Sequence, residues 1–319
     1  MEQKLTSYGT SEFTIKVEQQ GQGIMTQDSA IESLIITEGV NMIPQTELTL
    51  TTSFASKIIT LDDLDITVEG EEGYKLSFKF GVYKAKAYES KLLLAGYMTT
   101  RQNFMELGSE YLGDGLDDAI KQLGIRDKVD GVDQVSGGYW RLNETKVEAF
   151  LRLIRGAREN SVWVMGTDDL KVLDLSQTSE NGQDYNAPSK IEYMAFNDRF
   201  TPAEGEDPIY DLFETDDDNN PMYNATWNAM SYVGYNHKDF TKNLISSLKY
   251  RFPMEQLYKF TYSGIYIDYL PGTIMKMDLD DYNTDKMLLV SKITNFSPRG
   301  ITTTVYFASS DVYKPTLEG

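Results

Sequence analysis

A helix start is written into Thr145-Lys146-Val147-Glu148, and it constrains local structure more tightly than any other run of the chain. The run fits the S/T-x-x-E capping box. The threonine hydroxyl can accept the N–H of Glu148, and the glutamate can reach back to the threonine N–H. Val147, Phe150, Leu151 and Ile154 follow at helical spacing, so one face of the helix is apolar. Arg152, Arg155 and Arg158 fall in the later turns, where positive charge suits a helix C-terminus, and Asn160 is the expected stop. Val162-Trp163-Val164-Met165 is then a short apolar strand, Gly166-Thr167-Asp168-Asp169 a turn, and Leu170-Lys171-Val172-Leu173 a second strand. Residues 142–175 read as a capped helix followed by a two-stranded hairpin.

Both flanks of this unit read as β. Upstream, residues 13–17, 31–36, 47–51, 66–68, 74–80, 83–88 and 91–99 are strand candidates punctuated by glycine and aspartate. Short strands at this spacing favour a barrel or sandwich over a parallel sheet. Alternation through Lys75 and Lys79 implies one wet face. Residues 115–124 form a short amphipathic helix closed by Gly124. Trp140 and Trp163 are expected in the core of the unit, because buried aromatics are the commoner case. Downstream, residues 176–189 read as a loop and 191–200 as a strand. Residues 201–208 form an acidic Pro/Gly boundary, 216–220 an acidic loop and 239–248 a helix. Residues 257–262, 266–269, 274–277, 287–293 and 301–307 return to β, with a turn at Pro271-Gly272 and an acidic loop at 278–285.

The expected fold class is therefore α+β and β-rich, with two antiparallel β-barrel domains flanking a small α/β helix-hairpin domain, plus an insertion. The first barrel covers residues 1–100 and the α/β domain 101–190. The second barrel takes 191–204 and 253–312, the insertion 205–252 and a tail 313–319. A chain of 319 residues has room for two or three domains.

Composition narrows the chemistry. A net charge of −19 argues against unaided binding to nucleic-acid phosphates. Cysteine is absent, which excludes disulfides, zinc-thiolate sites and cysteine nucleophiles. The start of the chain has no basic region ahead of an apolar core, and no apolar run is long enough to span a bilayer. His237 is the one histidine, so a Ser-His-Asp triad would have to use it, and neither G-x-S-x-G nor H-E-x-x-H occurs. A glycosidase needs two carboxylates, one of them buried, whereas most acids here sit in polar loops. Residues 216–220 and 278–285 offer oxygen ligands but lack the EF-hand order, and read as solvated turns. Gly137-Gly138 and the Gly113/Gly115 pair mark turns. No catalytic, cofactor-binding or metal-binding residue is expected, and no cofactor.

Two stretches carry a family resemblance. The helix-hairpin, through Asn143, Glu144, Thr145, Phe150, Leu151, Arg152, Leu153, Gly166, Asp168, Leu170 and Leu173, resembles that of phage tail hub proteins. That family includes the late control protein D group, contractile-tail baseplate hubs and the N-terminal part of VgrG spikes. The closing order of a strand, Leu270-Pro271-Gly272, a strand, a polar loop, LLVSKITN and GITTTVYF resembles the closing barrel of the same proteins. Asn295 stands where relatives often have histidine. The resemblance covers barrel, helix-hairpin and barrel in order, and residues 201–252 have no counterpart in it.

The resemblance implies a structural virion protein and not an enzyme: the central hub of a tail tip or baseplate. It implies a homotrimeric ring with two similar barrels per subunit, so that six barrels match a six-fold tail tube to a three-fold spike. Expected partners are further copies of the chain, the tail tube or distal tail ring protein, a central spike protein and the tape measure protein. DNA passes the bore without specific binding, and no membrane insertion is expected. The protein is made in the host bacterial cytoplasm and ends at the virion tail. The chain stops soon after its last strand, which implies a separate spike protein and no appended lysozyme or peptidase domain. Asp216, Asp217, Asp218, Asp278, Asp280 and Asp281 are the interaction candidates, as acidic loops facing the bore or a partner. The alternatives are a carbohydrate-binding or glycoside-hydrolysing tail protein and a peripheral baseplate adaptor.

Overall fold

The computed structural model describes residues 7–8, 13–19, 22–26, 31–51, 62–70, 73–105, 107–108, 115–132, 144–154, 156–158, 161–175, 183–185, 191–193, 213–215, 221–223, 257–266, 270–279 and 282–309. The first part supplies strands β1 (Ser7–Tyr8), β2 (Phe13–Gln19), β3 (Gln22–Thr26), β4 (Ile31–Gly39), β5 (Gln45–Thr51), β6 (Leu64–Gly70), β7 (Lys75–Ala87) and β8 (Lys91–Tyr97). Period-two alternation decides which face of each goes inside. Ile15 and Val17 of β2, Leu48 and Leu50 of β5, Leu64, Ile66 and Val68 of β6, and Phe78 and Phe80 of β7 meet in one buried cluster. The opposite face is wet, as the lysine alternation implies. Lys75 reaches Glu69 at 3.1 Å and Lys79 reaches Asp65 at 2.5 Å, across the β6–β7 pair.

The sequence suggests separate strands at 74–80 and 83–88, but the structure has one strand, β7, that changes partner. Residues 75–80 pair with β6, and residues 81–87 pair with β8. The register slips between Val82 and Lys84. A bulge bends its strand and increases local twist, so β7 turns a corner of the sheet.

The middle part supplies α1 (Arg101–Met105), β9 (Leu107–Gly108), α2 (Leu116–Gln122), β10 (Lys128–Asp130), β11 (Glu144–Thr145), α3 (Lys146–Ile154), β12 (Ser161–Met165) and β13 (Asp169–Asp174). The capping box forms as written. Thr145 N–H donates to Glu148 Oε2 at 2.7 Å, and Glu148 N–H donates to Thr145 Oγ1 at 3.2 Å. Gly124 follows α2 with φ +67°, the left-handed stop expected of it. Val147, Phe150, Leu153 and Ile154 are buried with Trp163, whose ring meets Phe150 edge-on at 5.5 Å. β12 and β13 form the expected hairpin, and β10 adds to β13 in parallel, which three residues with one valine do not announce. Arg152 falls in the last turn of α3, as expected of a cation near a helix end. It is 8% exposed and tied to Glu144. Trp140, Arg155 and Asn160 lie outside the described residues.

The last part supplies β14 (Gln183–Tyr185), β15 (Ile191–Tyr193), β16 (Phe213–Thr215), β17 (Pro221–Tyr223), β18 (Leu257–Ser263), β19 (Ile265–Tyr266), β20 (Ile274–Leu279), β21 (Tyr282–Ser297) and β22 (Gly300–Ser309). Strands from both ends of the chain share one curled, thirteen-stranded sheet in the order β15-β18-β22-β21-β4-β5-β8-β7-β6-β2-β3, with β20 on β21 and β14 on β20. Its pairings are antiparallel except β14–β20. The two halves meet where residues 291–296 of β21 pair with residues 34–39 of β4. The far end of the β21–β22 hairpin enters the first cluster: Phe296 and Ile301 are buried there, and Phe296 meets Phe13 edge-on at 5.5 Å.

Two polar stretches are more ordered than the sequence suggests. Most of the expected acidic loop 278–285 is strand, because Asp278 pairs with Asn283 and Leu279 with Tyr282. Residues 176–189 contain β14, which lies along β20. Of the expected strand 266–269, Tyr266 falls in β19, beside Tyr8's neighbour Ser7 in β1. The expected helix at 239–248 lies outside the described residues.

Candidate functional site

Among the described residues no group of three or more His, Cys, Asp or Glu side chains could hold a metal ion. Geometry of functional interest lies instead where the sheet, the helical module and the C-terminal strands converge. The turn after β4 is the centre of this joint. Asn41 has φ +56°, a left-handed conformation that asparagine tolerates better than most residues. From it, Asn41 N–H donates to the Trp163 carbonyl at 2.7 Å, while Asn41 Oδ1 accepts the Trp163 N–H at 3.0 Å. One residue thus satisfies both backbone groups of the tryptophan at the centre of β12. Next to it, Val40 forms an antiparallel bridge with Val164, and Ile43 is buried in the core of the module.

The C-terminal strands lock onto the same turn. β21 slips register between Leu289 and Ser291, which frees the Val290 carbonyl from its ladder. That carbonyl accepts the Val40 N–H at 2.9 Å. Two pairs further along, Lys292 Nζ lies 2.9 Å from Glu38 Oε2, with the lysine 8% and the glutamate 17% exposed. Gly272, in the Pro-Gly turn foreseen in the sequence, has φ +87°. A Cβ there would stand 2.4 Å from Leu173 Cδ1 and 2.8 Å from Val164 Cγ2, so only glycine lets the turn close onto the β12–β13 hairpin. Arg126 forms the other side of the joint. Its guanidinium donates to the carbonyls of Gly166, Ile125 and Met98, tying the hairpin turn to the end of the first β region.

The Asn41 contact yields a direct test. Asn41→Ala loses the side-chain acceptor and places a Cβ residue in a left-handed turn, at an expected cost of about 2 kcal/mol. Asn41→Gly loses only the acceptor and costs about 1 kcal/mol. Urea unfolding midpoints at constant slope measure both. Equal losses would mean that the backbone conformation contributes nothing.

A cleft of about 480 Å³ is lined by Asp62, Asp63, Asp65, Lys79, Arg101, Gln102 and Met105. Two of its carboxylates have structural work. Asp63 Oδ1 accepts the Arg101 N–H at the start of α1, and Asp65 pairs with Lys79. The cleft holds a strand register and a helix start in place.

Of the acidic candidates, Asp278 lies within β20, opposite Asn283. Asp280 and Asp281 fall between Leu279 and Tyr282, outside the described residues. Asp216, Asp217 and Asp218 are also outside them, in the connection between the paired ends Thr215 and Pro221 of the β16–β17 hairpin. His237 lies outside the described residues as well. Sequence reading missed Asn41, Arg126 and the Glu38–Lys292 pair. An asparagine directly after a strand was the one available signal, since it marks a left-handed turn.

No protein-family model and no curated protein sequence matches the chain. Solved structures do. The fold is similar to that of the 43 kDa tail protein of prophage MuSo2 from Shewanella oneidensis, with a TM-score of 0.56 and 12% identity over 95% of this chain and 98% of that one. A tail protein from Neisseria meningitidis MC58 gives 0.54 and 12%, over 94% and 97%. The E. coli c3393 protein gives 0.52 and 10%, over 94% and 78%. It is described as a component of the type VI secretion system with structural similarity to the T4 bacteriophage tail proteins gp27 and gp5. At these identities the likeness is one of fold, and it extends over nearly the whole chain.

Proposed function

We propose that this chain is a structural protein of a phage tail tip or of a related contractile injection machine, and that it is the central hub. The observation that carries the reading is the shared fold over 95% of the chain with a prophage tail protein. The type VI component described as resembling gp27 and gp5 points the same way. The architecture suits a load-bearing part. One sheet runs through both β regions, and its β4–β21 pairing is reinforced by the largely buried Glu38–Lys292 pair. Shear along such a ladder must break many backbone bonds together.

In this reading the two β regions act as two similar barrels, and three copies close into a ring of six. The ring joins a six-fold tube or distal ring protein above to a three-fold spike protein below, and meets the tape measure protein. A head-to-tail interface closes such a ring without leaving free ends. DNA passes the bore without specific contacts. Asp216, Asp217, Asp218, Asp278, Asp280 and Asp281 face the bore or a partner, where negative charge keeps the DNA backbone from adhering. The assembled protein sits in the virion tail and chemistry is not its task.

Light scattering of the purified chain followed by class averages in the electron microscope tests the reading. The expected result is a three-copy ring with an open centre and six lobes. A compact monomer that releases sugar from cell walls would overturn it in favour of a carbohydrate-active tail protein.

A further inference from the structure

Among the described residues the buried charged side chains are Arg126, Glu144, Arg152 and Lys292, and the first three belong to the middle part of the chain. Lys292 alone belongs to the large sheet. It lies in β21, at the seam where the C-terminal strands join the N-terminal ones through β4. Buried residues alternate with half-buried ones along both strands of this seam. Lys292, Thr294 and Phe296 share the inner face of β21, and Leu34 and Ile36 share that of β4, so Lys292 points inward. On one side it stands opposite Val305 of β22, itself buried. On the other it stands opposite Glu38, whose carboxylate it meets at 2.9 Å.

Stability does not require an ion pair at this place, since apolar side chains of similar volume would avoid the desolvation of both charges. What the pair supplies is discrimination. Period-two alternation decides which face of a strand goes inside, but a slip of two residues keeps every side chain on its own face. The backbone bonds of the ladder are equally blind to such a slip. In one direction it would set Lys292 against Ile36 and Glu38 against Val290. In the other it would set Lys292 against Val40 and Glu38 against Thr294. Either slip buries two charges without partners, which is strongly unfavourable. The same logic holds between copies. Without each other, β4 and residues 291–296 of β21 are open edges, and an inward-pointing charge stops an edge from recruiting a stray strand. β4 against β4 of a second copy would bury carboxylates with no cation. β21 against β21 would bury ammonium groups with no anion.

We propose that Glu38 and Lys292 are a lock that selects partner and register at the seam. The lock makes the two β regions of one chain pair with each other, in the one register that neutralises both charges, and keeps either edge from pairing with its own kind in a second copy. It acts while the chain folds, before any assembly, and so holds whether or not the ring reading does.

The absence of cysteine makes a clean test available in the full chain. Directly opposed residues of an antiparallel pair come within disulfide reach, and residues two positions off register do not. Thr37→Cys/Ile293→Cys therefore reports the native register, while Ile35→Cys/Ile293→Cys and Thr37→Cys/Asn295→Cys report the two slips. Each pair is refolded under mild oxidation, and non-reducing gels read disulfides within and between copies. With Glu38 and Lys292 intact, only the native pair is expected to close, within one chain. In a Glu38→Leu/Lys292→Leu background the slipped and between-copy disulfides are expected to rise about tenfold or more. A leucine background that keeps the native pattern overturns the proposal. Should that background fail to fold, charge reversal decides. Glu38→Lys alone is expected to lose the native disulfide, and Glu38→Lys/Lys292→Glu to regain it. A native disulfide that survives Glu38→Lys, or that the reversed pair does not restore, overturns the lock.

Discussion

Replacing Arg126 by methionine is expected to lower the stability of the chain by about 3–5 kcal/mol, the largest loss from any single exchange at the joint. Arg126 is 6% exposed. Its Nε donates to the Gly166 carbonyl at 2.6 Å, Nη1 to Ile125 at 2.7 Å and Nη2 to Met98 at 2.9 Å. Methionine matches the length of the stem but offers no donor. Carbonyls that arginine satisfied are then left dry, and each costs about 1–3 kcal/mol where water cannot follow. Arg126→Lys keeps the charge and one or two of the bonds, so its expected cost is about half as large.

The pH dependence has a definite sign. Burial lowers the Arg126 pKa to about 10, while Asp168, Asp169 and Asp127 pull it back up. In the unfolded chain the group keeps its higher ordinary value. Between the two values the unfolded state binds more protons, so this residue's contribution to stability rises with pH there. Below the folded value arginine is charged in both states and its contribution is constant. The gap between the native chain and Arg126→Met should therefore be flat across neutral pH. Urea unfolding at several pH values measures it. An unchanged midpoint in the methionine variant would show that the three carbonyls find other donors.

What the sequence revealed and what it concealed divide along the range of the interaction. The capping box was legible because Thr145 and Glu148 are three residues apart and bond each other. Strand faces were legible because alternation in β2, β5, β6 and β7 decides them locally. The joint was not legible. Asn41 bonds Trp163, Glu38 meets Lys292 and Arg126 reaches Met98, all across long sequence separations. Each of these residues, read alone, belongs to a polar type that normally faces water. The place of Arg152 near the C-terminus of α3 was legible, but its bidentate pairing with Glu144 was not. Local propensity proposes elements, and the bonds that hold elements together depend on topology. The strand β10 was missed differently: with three residues and a single valine it has no period to read.

Breaking the Glu144–Arg152 pair from one side is expected to cost about as much as losing Arg126, and removing both charges together is expected to cost much less. Arg152 Nε and Nη2 donate to Glu144 Oε1 and Oε2, both at 2.8 Å, a bidentate pair with side chains 8% and 10% exposed. Two parallel charge-assisted bonds offset the desolvation of both ions. With Arg152→Met, a buried carboxylate loses its partner, and losses of this kind run to about 3–5 kcal/mol. Glu144→Leu strands the guanidinium in the same way. The double variant strands neither, and apolar side chains of similar volume can pack against Phe150 and its neighbours. Its expected cost is about 1 kcal/mol, so the cycle should show a coupling of several kcal/mol. Simple additivity of the two single losses would show that the residues act through separate contacts. The location of the pair adds a second readout. Glu144 lies in β11, whose partner strand β9 carries Leu107. It also directly precedes the Thr145 cap of α3. The pair thus ties α3 back to the β9–β11 pairing. In either single variant, hydrogen exchange should quicken first at Leu107, Gly108 and Thr145, before the rest of the helix opens. The double variant should recover the native exchange pattern.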